Sequence, residues 1–337
     1  MLSHYLGTMF TLPSPQAPRS AGEQLVVTLP AQRLIDGLGA VASDVQLRLW
    51  DLAGPAPDPT AVNVVVVPYE GRADLRLLHE LPALRLVQTL TAGYDTVLPH
   101  LPSGVALANA AGVHDASTAE LAVGLTIAAL RGIPQMVRDQ ERALWRTEQR
   151  PALADLRVLV IGYGGVGSAV AARMLPFETV VTGVASKPRA TGPDGVPVHG
   201  IHDLGQLLPQ QDVVVLAVPL NEATRGLVDA AFLAAMPDGA LLVNVSRGPV
   251  VDTAALVSEL RAGRLLAALD VTDPEPLPAG HELWRLPGVL ISPHQGGATR
   301  AMWPRLLALL SDQLARLRAG EPLRAMVVPT PWSQRRF

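Results

Sequence analysis

Three polar residues of different chemistry follow one another in the C-terminal half of the chain. Arg247 lies in Asn244-Val245-Ser246-Arg247-Gly248, Glu275 in Asp270-Val271-Thr272-Asp273-Pro274-Glu275-Pro276, and His294 in Ser292-Pro293-His294-Gln295-Gly296-Gly297. A guanidinium binds an anion and polarises a carbonyl oxygen. An imidazole moves a proton near neutral pH, and a carboxylate beside it favours the charged ring. Upstream, Gly162-Tyr163-Gly164-Gly165-Val166-Gly167 closes the apolar run Val158-Leu159-Val160-Ile161. Together these groups point to hydride transfer on a small carbonyl or hydroxy acid beside a bound dinucleotide. Taken singly, each has an ordinary explanation: an ion-paired arginine, a solvated acid, a structural histidine. Their common setting argues otherwise. All three follow apolar strand patterns, and ligands of open α/β sheets bind at the carboxyl ends of strands. Of the other histidines, His114 and His281 are weaker candidates.

A lone G-x-G-x-x-G is weak evidence, but here a strand pattern enters it and a helical pattern, Ser168 to Leu175, leaves it before Pro176. Gly162 suits the tight turn, Gly164 the close approach of a pyrophosphate, and Gly167 the packing of helix on strand. The helix start adds free N–H donors and a positive dipole end. An NAD site usually carries an acid about 20 residues further on, at the tip of the second strand. Here that strand ends Val184-Ala185-Ser186-Lys187-Pro188-Arg189, and the nearest acid, Asp194, lies beyond a Pro/Gly turn. A hydroxyl and two cations suit a 2′-phosphate. Ser186, Lys187 and Arg189 are therefore expected to favour NADP(H) over NAD(H).

The elements that must hold these residues read as α/β throughout. Gln24 to Leu29, Val62 to Val67 and Leu84 to Leu90 read as strands of a first unit ending near Asn109. Such runs, separated by helices, predict a parallel sheet covered on both faces. Asp115 opens a long helix to about Leu130, with Ser117 and Glu120 at capping-box spacing. A polar stretch from Arg138 to Arg150 leads to a second unit. Its strands read 157–161, 179–184, 212–217, 240–245, 265–271 and 289–292. A last helix, about Arg300 to Arg318, is expected to return to the first unit. The fold class is thus two doubly wound parallel-sheet domains. A Rossmann dinucleotide-binding domain (111–298) is inserted into a flavodoxin-like substrate domain (1–110 and 299–337), with residues 1–22 a loose extension.

Composition bounds the function. The 337 residues are 49% apolar and 17% charged, enough for two buried cores. A net charge of −3 gives no reason to expect nucleic acid. No stretch is long and apolar enough to span a bilayer, and the N-terminus lacks the early basic residues of a signal peptide. With no cysteine, disulfides, thiolate metal sites and cysteine nucleophiles are excluded, which suits a reducing cytoplasm. No metal site is expected.

Over roughly residues 60–320 the chain resembles the D-isomer-specific 2-hydroxyacid dehydrogenases, a family of phosphoglycerate, glyoxylate/hydroxypyruvate and D-lactate dehydrogenases. The resemblance rests on Thr91-Ala92-Gly93-Tyr94-Asp95, Thr118-Ala119-Glu120-Leu121, the glycine loop, Val218 to Gly226, Asn244 to Asp252, Asp270 to Pro276 and Ser292-Pro293-His294, in the family's order. It implies that Arg247, Glu275 and His294 are catalytic, and that the amides of Ala92 and Gly93 hold a substrate carboxylate with Arg247. It implies coenzyme contacts from Gly165 and Val166 to the pyrophosphate, and from Asp270 and the Val245 carbonyl to the nicotinamide amide. Thr118, Pro219 and Thr224 are expected in the same site. The family's usual acid after the second strand aligns with Ala185, a departure that looks like its NADP-using members. A homodimer through the Thr118–Arg150 region is also implied. The rival class is a dinucleotide-sensing interaction protein of corepressor type, which the trio does not exclude.

Overall fold

The computed structural model describes residues 24–69, 71, 73–192 and 194–330. The expected loose extension, residues 1–22, lies outside them. The first strands are β1 (Leu25–Leu29), β2 (Val45–Leu49), β3 (Val62–Val67), β4 (Leu86–Thr89) and β5 (Ala106–Ala108), with α1 (Gln32–Leu38) after the first. Then come α2 (Asp115–Arg131), α3 (Ile133–Glu141), β6 (Arg157–Ile161), α4 (Gly165–Met174), β7 (Val180–Ala185), β8 (Val198–Gly200), α5 (Leu204–Leu207) and β9 (Val213–Leu216). The chain continues through α6 (Ala230–Ala235), β10 (Leu241–Asn244), α7 (Thr253–Arg261), β11 (Leu266–Leu269), β12 (Val289–Ile291), α8 (Met302–Ala319) and β13 (Met326–Val328).

These strands form two sheets. One has the order β13-β5-β4-β3-β1-β2, the other β12-β11-β10-β9-β6-β7-β8. In the first, β1 to β5 pair in parallel in a flavodoxin-like order, and β13 closes one edge antiparallel to β5. In the second, every pair is parallel, and the order reverses between β6 and β9, as in a Rossmann sheet. Buried residues of β6, β9 and β10 alternate between two apolar clusters, one on each face. This double burial explains why the strands read as continuous Val/Leu runs.

Contacts group the chain into two compact units. One runs to Leu90, includes Thr96–Ala110 and resumes at Leu306; the other holds Thr91–Asp95 and Ala111–Arg305. The loop Thr91–Asp95 groups with the second unit because Asp95 bonds Arg247 and Gly93 lies against the Arg247 guanidinium.

Several local readings need correction. Ser117 does not cap α2: it lies inside the first turn, and its hydroxyl donates to the His114 carbonyl at 3.1 Å. The helix start is His114, with no side-chain cap, and the acid in the first turn is Asp115. Part of the polar stretch is helical, because α3 runs to Glu141 after a 63° bend from α2. Gly132, left-handed at φ 66°, makes that break. Helix α4 begins at Gly165 rather than Ser168, so the glycine loop supplies its first turn. The strands β2, β5, β8 and β13 stand where the sequence pattern predicts none. Among the described residues no single helix is long and apolar enough to cross a membrane.

Candidate active site

The glycine loop is built to admit an anion. Gly162 has φ +97°, and a Cβ there would collide with the Ala217 main chain. A Cβ on Gly167 would strike the Gly162 carbonyl, so helix and strand pack only because it is absent. Gly164, by contrast, faces open space at the N-terminus of α4. The loop therefore leaves room where a phosphate would meet free N–H groups of a ten-residue helix. These residues fit a dinucleotide. Gly165, Val166 and Gly167 lie in the first turn of α4. The carboxylate of Asp115 presses on Gly165, and burial raises its pKa.

The three catalytic candidates come from the ends of adjacent strands. Arg247 follows β10, Glu275 follows β11 and His294 follows β12. Glu275 Oε1 stands 2.5 Å from His294 Nδ1. That bond, and then the charge of Glu275, raises the pKa of His294 against the opposing effects of burial and Arg247. Burial opposes ionisation of Glu275, but the His294 bond and charge, with Arg247, outweigh it and lower its pKa. Each shift favours the ion pair.

Arg247 is fixed by two bonds. Nε donates to Asp95 Oδ1 at 3.2 Å and Nη1 to the Ser246 carbonyl at 2.8 Å. Asn244 holds the turn that presents it: its Oδ1 accepts from Ser246 N–H at 3.0 Å and Ser246 Oγ at 2.7 Å, while Nδ2 donates to the Arg247 carbonyl at 3.0 Å. A Cβ on Gly93 would overlap the guanidinium, so Gly93 lies directly beside Arg247, with Ala92 next to it in the chain.

Asp270 has a role that spacing did not show. It is 3% exposed, and its carboxylate accepts from Ser292 Oγ at 2.7 Å, Gln295 N–H at 2.8 Å and Gly296 N–H at 3.0 Å. Its own carbonyl accepts from His294 N–H at 2.8 Å. The aspartate thus anchors the loop that holds His294 in a left-handed conformation, φ 55°. Thr118 is buried, and its methyl would stand 3.2 Å from a Cβ on Gly296 of the same loop. Pro219 and Thr224 are joined, the Thr224 hydroxyl donating to the Pro219 carbonyl at 2.6 Å. Val245 is buried directly after β10.

At the tip of β7, Ser186, Lys187 and Arg189 are exposed. Asp194, the nearest acid, is engaged elsewhere, accepting from Tyr163 Oη at 2.6 Å. Of the weaker histidines, His114 is buried with Nδ1 3.4 Å from the Gly297 carbonyl. His281 accepts from Leu283 N–H at 3.3 Å, a local cap. Among the described residues no cluster suits a metal ion.

Residues 123–296 match the family model for the NAD binding domain of D-isomer specific 2-hydroxyacid dehydrogenases. A human glyoxylate reductase/hydroxypyruvate reductase is 30% identical over 303 residues, spanning 84% of this chain and 91% of its own. A D-isomer specific 2-hydroxyacid dehydrogenase from Xanthobacter autotrophicus Py2, solved with NADPH and MES, superposes with a TM-score of 0.79 at 30% identity, covering 90% of this chain and 98% of its own. The NADPH-dependent glyoxylate/hydroxypyruvate reductase of Sinorhizobium meliloti, solved with NADP and sulfate, gives 0.78 at 25% identity, with the same coverage of both chains. The protein belongs to the D-isomer-specific 2-hydroxyacid dehydrogenases, enzymes that use a nicotinamide dinucleotide to act on a CH–OH group.

Proposed function

We propose that the protein reduces a small 2-keto acid to its D-2-hydroxy acid, with NADPH preferred to NADH. The observation that carries the reading is the His294–Glu275 pair at 2.5 Å, formed beside strand ends that also present Arg247. The names of the relatives support a glyoxylate- or hydroxypyruvate-like substrate.

Arg247 binds the substrate carboxylate together with the amides of Ala92 and Gly93, and draws charge towards the keto oxygen. Protonated His294 gives its proton to that oxygen as the carbonyl carbon is reduced. Glu275 keeps the ring charged before transfer. In the oxidative direction neutral His294 takes the proton back. When bound, the nicotinamide supplies or accepts the hydride. Gly162, Gly164, Gly165, Val166 and Gly167 would hold the pyrophosphate. Thr118, Pro219, Thr224, Val245 and Asp270 would line the rest of the coenzyme site. Ser186, Lys187 and Arg189 would hold the adenosine 2′-phosphate, a reading supported by the NADPH and NADP found in similar proteins.

The reading also includes a homodimer. Helix α3 exposes Ile133, Met136 and Val137, and the chain beyond it exposes Leu144 and, at 99%, Trp145. An apolar surface of that kind is suited to a second copy of the chain. The cysteine-free composition supports a cytoplasmic location.

The test is turnover. Purified protein is assayed with glyoxylate, hydroxypyruvate, pyruvate and phenylpyruvate, each with NADPH and NADH. At least one keto acid should be reduced efficiently, and His294→Ala should abolish that while dinucleotide binding persists. Near-normal turnover by His294→Ala would overturn the assignment. Binding of the dinucleotide without turnover of any keto acid would favour a sensing protein.

A further inference from the structure

Arg189 is pinned in three ways. Its main chain exchanges hydrogen bonds with Val198 of β8, its N–H donating at 2.9 Å and its carbonyl accepting at 3.2 Å. Its Nη2 donates to the Tyr163 carbonyl at 2.8 Å. Its guanidinium carbon stands 5.6 Å from the centre of the Tyr163 ring, within cation–π range. An arginine held so rigidly loses less freedom on meeting a ligand than one free in solvent. One of its five N–H donors serves Tyr163, and others are left for a phosphate.

Tyr163 is in turn seated by its own surroundings. It is 4% exposed. Its ring lies against Gly183 of β7 and Gly192, and a Cβ at either would collide with it, the one on Gly192 at 2.9 Å from Cε1. Its hydroxyl donates to Asp194 Oδ2 at 2.6 Å, while Asp194 Oδ1 accepts from Val196 N–H at 3.3 Å. A single residue of the glycine loop therefore holds both the cation and the nearest acid. Each is held by a different part of it: the cation by the carbonyl and ring face, the acid by the hydroxyl.

We propose that Tyr163 is a positioning residue for coenzyme selectivity: it sets Arg189 for the adenosine 2′-phosphate and ties down Asp194, whose free carboxylate would pair with Arg189 or repel that phosphate. The inference rests on the NADPH reading of the β7 tip. Burial first, then the bond to Asp194 and its charge, hold the Tyr163 hydroxyl far above the usual tyrosine range. It therefore stays protonated, and a donor, at every working pH.

The experiment is calorimetric binding of NADP⁺ and of NAD⁺ to the full chain, as wild type, Tyr163→Phe and the double variant Tyr163→Phe with Asp194→Asn. Phenylalanine keeps the ring and the main-chain carbonyl and removes only the hydroxyl. NAD⁺ affinity, which should stay nearly constant, reports that the fold is intact. Tyr163→Phe should lower the NADP⁺/NAD⁺ affinity ratio about tenfold, the size of one charge-assisted bond. Adding Asp194→Asn should restore most of the ratio, because the freed charge is gone. A wild type without NADP⁺ preference would overturn the coenzyme reading and this inference with it. A preference that Tyr163→Phe leaves unchanged would overturn the inference alone. So would a double variant no more selective than Tyr163→Phe, since the loss would then come from packing rather than from the released acid.

Discussion

Asp270→Asn tests how His294 is held. The wild-type carboxylate is buried and accepts three hydrogen bonds, two on Oδ1 and one on Oδ2. Asparagine is nearly the same size but has one oxygen. Its best orientation keeps that oxygen on Ser292 and Gln295 and turns its NH₂ towards the Gly296 N–H, so that two donors face each other. The lost bond to a charged acceptor is worth roughly 1.5–3 kcal/mol, and the two bonds that remain weaken from charged to neutral. Removing a buried charge returns part of this, because its desolvation is relieved. The net loss is about 2 kcal/mol, near the strain of roughly 1–2 kcal/mol for a non-glycine residue in the left-handed region. His294 is such a residue, at φ 55°. The loop should then sample other conformations, and kcat should fall because the imidazole is misplaced. The assay is urea unfolding of the coenzyme-free protein alongside kcat and KM. Coenzyme-free protein matters here, since an Asp270 that only touched the nicotinamide would leave its stability unchanged. Stability within about 0.5 kcal/mol of wild type would refute the anchoring argument.

Three further variants probe the remaining parts. Glu275→Gln removes the charge of Glu275 and leaves at most a neutral amide acceptor for His294 Nδ1, so the His294 pKa should fall; the reductive reaction needs the protonated ring, so its loss of activity with rising pH should begin at lower pH. A kcat/KM profile whose basic limb does not move would count against the pair. Arg247→Lys cannot reproduce the donation from Nε to Asp95 and from Nη1 to the Ser246 carbonyl, so KM should rise and kcat fall together, by about 100-fold in kcat/KM. An unchanged KM would separate Arg247 from substrate binding. Ala185→Asp puts a carboxylate at the end of β7, where it would accept from ribose hydroxyls and repel a 2′-phosphate. The preference in kcat/KM should turn to NADH, and retention of NADPH preference would place the phosphate elsewhere.

Much of the fold was legible because parallel strands buried on both faces announce themselves. The apolar runs Val62 to Val67 and Arg157 to Ile161 coincide with β3 and β6 for that reason. What escaped was short or lay at a sheet edge. Among the described residues strand β2, Val-Gln-Leu-Arg-Leu, pairs only with β1, and it is partly exposed, so it alternates instead of running apolar. Strands β8 and β13 have three residues each, and their partners rather than their composition make them strands. Ser117 misled because capping-box spacing says nothing of where the first turn begins. The chain enters α2 at His114, and the serine falls on the turn's inner side.

The trio was legible from its order and from the strand ends it follows, but what orients it was not. Asp95 and Arg247 are separated by 152 residues, and Asp270 reaches its donors 22 to 26 residues away. No local pattern links such positions; for Asp270 it is the pairing of β11 with β12 that brings its donors within reach. The same limit governs the coenzyme site. Sequence shows an absent acid and two cations at the tip of β7, and these weigh equally by type. The structure separates them, since Arg189 is bonded through its main chain, its side chain and the Tyr163 ring. Binding energy depends on how much freedom a group has left to lose as well as on its charge. Arg189 should therefore dominate over Lys187 in selecting a phosphate, and the tyrosine between the two glycines Gly162 and Gly164 belongs to that selection as much as to the loop.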